Sequence, residues 1–185
     1  MRLLKVAAQD RSRNGKADTV VLNFFRRQPG EPDEMQHEAI AVDVSADGQV
    51  EVLCSGDINR DGDNDVMDKR LLDVFADTFL QLNWFNTGNR WQRTLVIYAE
   101  HFTQSATPDA VRMEFHKHTG VPCQDSLVYG LTVPCLEGDS VPQPPNRRDL
   151  NPDALAINAD KALIRRLCTT FLGFNWYEAG QVSLS

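Results

Sequence analysis

The chain has 185 residues and a mass of 20.8 kDa, enough for one domain or two small ones. Its 42% hydrophobic and 24% charged residues are ordinary for a globular protein. A net charge of −7 and a pI near 5.0 argue against a general nucleic-acid or anionic-membrane binder, which needs a basic face.

The first segment, Met1 to Asp10, is broken by Lys5 after two leucines. It therefore reads as a strand rather than a secretory signal, and a cytoplasmic setting is favoured. No apolar run approaches the ~18 residues of a membrane span. The cysteines, Cys54, Cys123, Cys135 and Cys168, form no CxxC pair. Free thiols are expected, with a Cys123–Cys135 bridge left open. Period-two alternation predicts strands near 2–8, 18–27, 38–45 and 49–54. A helix is predicted near 66–82, where Leu71, Leu72, Phe75, Phe79 and Leu82 make one stripe. Strands follow near 94–101, 109–118 and 126–134, and a second helix near 158–174.

This order contains a repeat. Residues 57–85 and 149–177 align at an offset of 92 with 11 of 29 positions identical. The shared residues include Asp57/Asp149, Asn59/Asn151, Asp61/Asp153, Asp68/Asp160, Asn83/Asn175 and Trp84/Trp176. Upstream, Leu3 and Ala7 align with Leu95 and Ala99, and Val20, Leu22 and Phe24 with Val111, Met113 and Phe115. The expected fold is α+β, an internal duplication of β-β-β(-β)-loop-α units. Residues 1–92 form the first unit and 93–185 a degenerate second one, in one compact body. Antiparallel sheet and two helices would be related by a pseudo-two-fold axis. Asn83 and Asn175 suit left-handed residues closing the helices, with Trp84 and Trp176 folding back as core anchors.

The chemistry gathers in residues 57–68. Oxygen side chains stand at loop positions one (Asp57), three (Asn59), five (Asp61), nine (Asp65) and twelve (Asp68), with Gly62 at six. Position seven, Asp63, would offer its carbonyl. This is EF-hand spacing, and calcium takes six to eight such oxygens at about 2.3–2.6 Å. Five aspartates against Arg60 leave the loop at −4, which a bound cation would relieve. Asp149, Asn151, Asp153 and Asp160 repeat the set, although Ala154 replaces the turn glycine and Ile157 the ninth-position oxygen.

The run Gly56-Asp57-Ile58-Asn59-Arg60-Asp61-Gly62, closed by Asp68 before a helix, resembles the calcium loop-helix motif of dockerin domains. That resemblance is of motif only. It implies calcium as the ion and a protein partner. The chain departs from the pattern in separating its two motifs by a predicted sheet. Asp10, Ser12, Asn14, Gly15 and Asp18 look like the calcium loops of integrin-type propeller repeats, a plain hairpin turn being the alternative. Asp43, Ser45, Asp47, Gly48 and Glu51 fit the spacing loosely and read more simply as a tight turn.

The expectation is a non-enzymatic calcium-binding protein or interaction module. One alternative is a zinc-dependent hydrolase using His101, His116 and His118 with Glu100. Another is a metal-free acidic binding or chaperone-like protein. No GxSxG, phosphate-cradling glycine loop or Cys/His nucleophile pair is present.

Overall fold

The computed structural model describes residues 1–45, 47–86, 93–101, 107–118, 125–135 and 160–178. Within them lie seven strands: β1 (Arg2–Gln9), β2 (Thr19–Arg26), β3 (Glu34–Val42), β4 (Val52–Cys54), β5 (Arg93–Glu100), β6 (Ala110–His118) and β7 (Asp125–Pro134). The helices are α1 (Val66–Leu80), the single turn α2 (Asn83–Asn86) and α3 (Lys161–Gly173). All seven strands join one antiparallel sheet in the order β4-β3-β2-β1-β5-β6-β7. The chain is therefore α+β. Among the described residues no helix is long and apolar enough to cross a membrane.

Alternation in each strand decides which face is buried. Leu4, Val6 and Ala8 of β1, Val20, Leu22 and Phe24 of β2, and Leu95 and Ile97 of β5 point into one core cluster. Val111, Met113 and Phe115 of β6 join them. Leu72, Phe75, Ala76 and Phe79 of α1 and Ile164, Leu167, Cys168 and Phe171 of α3 close the same cluster, so both helices cover this face. Leu3 of β1 is buried but stays outside this cluster.

Two strands carry a bulge. On β3 the pairing jumps from Phe24–His37 to Phe25–Met35, leaving Gln36 unpaired. On β7 it jumps from Phe115–Tyr129 to His116–Leu127, leaving Val128 unpaired.

Boundaries differ from the sequence reading for local reasons. β3 starts at Glu34 because Glu34 and Met35 pair with Arg26 and Phe25. It stops at Val42 because Asp43 turns the chain into a loop. α1 ends at Leu80, and Asn83 opens α2 instead of adopting a left-handed turn. Asn175 does adopt one, with φ of +50°, just past α3. Trp84 and Trp176 are core anchors, 1% and 4% exposed. Trp84 packs edge-on against Phe115 of β6 at 5.2 Å, and Trp176 edge-on against Phe24 of β2 at 5.4 Å. Cys54, Cys135 and Cys168 are free thiols, and Cys123 lies outside the described residues.

Candidate metal centre

Three loops are built on one hydrogen-bond frame. At position one, Asp57 accepts the N–H groups of Asp61 and Gly62, both at 3.1 Å. Asp10 accepts those of Asn14 (3.0 Å) and Gly15 (2.9 Å) in the same way. Asp43 accepts those of Asp47 (3.2 Å) and Gly48 (2.7 Å). The side chain at position five then accepts the N–H of position seven. These bonds run from Lys16 to Asn14 (2.8 Å), Gln49 to Asp47 (2.9 Å) and Asp63 to Asp61 (3.0 Å). Position six is Gly15, Gly48 or Gly62, with φ of +87°, +96° and +101°. Only glycine takes such values without strain, which explains its recurrence there.

A carboxylate from further along closes each loop by accepting the N–H of position two. Arg11 donates to Asp18 (2.9 Å), Val44 to Glu51, and Ile58 to Asp68 (2.9 Å). The closing groups Asp18 and Asp68 are 3% and 0% exposed. Asp68 also accepts from Asn59 (3.1 Å) and Asp65 (2.8 Å). The bond to Asp65 is half of a capping box, since Asp65 caps α1 by accepting from Met67 at 2.7 Å.

Several of these carboxylates are held ionised. Burial pushes Asp18 up, but the N–H groups of Arg11 and Ser12 outweigh it and leave its pKa below the ordinary value. The Ser45 hydroxyl and the Val44 N–H lower Glu51. The Asp63 N–H and the Asn59 amide lower Asp61.

The loops differ in how their carboxylates gather. Oxygens of Asp43, Asp47 and Glu51 lie within 4.8 Å of one another, the one such acidic trio among the described residues. The segment turns the chain between β3 and β4 and gathers this trio as it does so. In 57–68, Asp57 faces the loop N–H groups, Asp65 caps the helix and Asp68 sits at the loop's centre. Asn59 Nδ2 donates to Asp61 at 2.8 Å, and Asp61 and Asp63 are exposed. Asp149, Asn151 and Asp153 lie outside the described residues. Asp160 lies within them and accepts the Asn83 N–H (2.7 Å) and Nδ2 (2.8 Å).

A cleft of about 240 Å³ opens beside Asp57 and Arg60, walled by His37 and Trp176. His37 Nε2 donates to the Ser55 carbonyl at 2.7 Å. His116 Nε2 lies 3.3 Å from Glu114. No trio that includes a histidine converges among the described residues. The structure adds to the sequence reading the closing bonds that Asp18 and Glu51 accept. Their signal was the glycine at position six combined with oxygen side chains at one, three, five and nine.

No protein-family model matches the chain, no curated protein matches it, and no solved structure matches it.

Proposed function

We propose that this is a calcium-binding, non-enzymatic tandem-repeat protein or interaction module, with calcium held by residues 57–68. One observation carries the reading: the loop frame of Asp57 recurs bond for bond at Asp10 and Asp43. A single Asx turn is ordinary loop chemistry. Three copies, each with position-six glycine and a closing carboxylate, supply side-chain oxygens of the kind a hard cation takes. The acidic trio at Asp43, Asp47 and Glu51 adds a second candidate centre.

Duplication of an ancestral unit belongs to the same proposal, with the pseudo-two-fold axis passing between β1 and β5. Several pairs of features support it. The bulges oppose Phe24/Phe25 and Phe115/His116, an offset of 91. The Asp18 and Asp109 N–H groups donate to Gln9 and Glu100, again an offset of 91. Thr78 and Thr170 donate back to Val74 and Arg166 within their helices, an offset of 92. Arg93 stacks on Trp84 at 4.9 Å, and Arg2 on Trp176 at 5.2 Å.

Calorimetric titration with calcium tests the function. The parent chain is expected to give saturable heat, part of which Asp57→Ala removes and another part Asp43→Ala removes. Identical heats in parent and both variants would refute the sites; an absence of heat in the parent would refute the function.

A further inference from the structure

We infer that the cleft between β3, the turn at 55–60 and Trp176 is a binding site for a small aromatic carboxylate. The inference is independent of the calcium reading. The cleft encloses about 240 Å³, walled by Gln36, His37, Asp57 and Arg60 over a floor of Phe24 and Trp176. At roughly 30 Å³ per water-sized group, that is room for about eight non-hydrogen atoms.

Two features of the backbone aim polar groups at this space. The β3 bulge leaves Gln36 unpaired, which brings its side chain to the cleft that His37 also lines. Gly56, left-handed at φ of +60°, lets the His37 ring lie against the turn, since a Cβ there would stand 2.5 Å from the ring's Cε1. The Nε2 bond to the Ser55 carbonyl then fixes the ring. A bulge does not by itself call for polar groups. That of β7 carries Val128 and Tyr129 in the corresponding places, and Tyr129 packs on Phe115 at 6.2 Å within the core.

Charge selects the ligand. The Arg60 guanidinium carbon lies 4.7 Å from the centre of the Trp176 ring, and that of Arg2 lies 5.2 Å from the same ring. Burial and the Arg60 charge lower the Arg2 pKa, and Glu178 offsets this only in part. Arg60 forms no ion pair among the described residues. An anion on Arg60 therefore pairs a free cation and relieves a repulsion. A carboxylate matches the flat edge of a guanidinium. Asp57 narrows the choice further. Its oxygens accept loop N–H groups at 3.1 Å, and its charge stands at the wall of the cleft. That charge repels a dianion such as phosphate more than it repels a single carboxylate. Phe24 and Trp176, edge-on to each other at 5.4 Å, give a flat apolar body its floor.

The test titrates the full chain, in chelator, with benzoate, benzamide and inorganic phosphate. The Trp176 indole N–H, which donates to the Leu3 carbonyl, is the NMR reporter. Benzoate is expected to shift that signal saturably. Benzamide has the same shape without the charge and should bind about ten-fold more weakly, the worth of a charge-assisted bond. Arg60 is left-handed, with φ of +63°, and Arg60→Asn puts there a residue that accepts this turn. That variant should weaken benzoate binding by a similar factor. No shift with benzoate, equal binding of benzamide, or equal benzoate binding by the variant overturns the site. Phosphate binding as tightly as benzoate overturns the choice of ligand. If the variant fails to fold, the comparison of benzoate with benzamide decides alone. With calcium chelated throughout, none of these outcomes bears on the calcium sites.

Discussion

Asp68 is wholly buried, although its neighbours Val66 and Met67 stand in solvent. Its carboxylate accepts three backbone N–H groups, from Ile58, Asn59 and Asp65. Replacing it with alanine strands those donors where water reaches them poorly. Asp68→Ala is expected to cost about 3 kcal/mol in chelator, measured by urea unfolding, because each orphaned donor costs roughly 1–3 kcal/mol. A cost under about 0.5 kcal/mol would mean that the loop hangs free of this residue. Asp33 makes a different kind of prediction. Arg27 grips it through two bonds of 2.7 and 2.8 Å, and Lys5 adds a third at 3.2 Å. The Arg27 bonds, with help from Lys5, lower its pKa from 3.8 to about 2. A depressed carboxyl stabilises the fold above its unfolded pKa and loses that contribution as pH falls through its folded one. The stabilisation is thus complete above pH 4 and fades toward pH 2. Urea midpoints across that window should fall less in Asp33→Asn than in the parent, and parallel profiles would contradict the assignment.

The helices show at the next scale why burial and hydrogen bonding must be read together. α1 and α3 meet over the sheet through large aromatic groups. Phe75 lies 5.3 Å from Phe174 and 6.5 Å from Phe79. Phe171 in α3 has no exposed surface. Phe171→Ala should cost about 3–5 kcal/mol by chemical denaturation, since it removes a buried ring and leaves a cavity. The apolar stripes of both helices were legible in the sequence because core contact demands 3.6-residue spacing. The central strands were legible because one face packs and the other is polar. Their register was not, since a slip of one residue reverses every side chain and only pairing decides it. The loop at 43–51 was half-legible. Asp43, Ser45, Asp47 and Gly48 have the same spacing as Asp57 to Gly62, but a short connection between strands fits a turn equally well. The structure adds Glu51 reaching back to the Val44 N–H, which no local pattern encodes. Asn83 misled because a left-handed cap and a new helical turn both admit asparagine. The outcome depended on Asp160, 77 residues away, which takes its N–H.

Across the whole molecule the halves are interlocked. Trp84 of the first half packs on Phe115 of the second, and Trp176 of the second on Phe24 of the first. Asn83 reaches Asp160, and Asn175 reaches Asn59. β1 occupies an interior position in the sheet, paired on one side with β2 and on the other with β5 from Leu4–Ile97 to Ala7–Thr94. A fragment of residues 1–86 lacks β5, α3 and the Trp176 anchor. Sedimentation should find it self-associated, with no cooperative urea transition. A monomeric fragment that unfolds cooperatively would show the halves to be independent.

The interior position of β1 also matters during synthesis. β1 leaves the ribosome some ninety residues ahead of β5, the neighbour that covers its second side. Until then its amides and carbonyls form a bare ribbon edge, open to the same edge on a nascent chain of the next ribosome along the message.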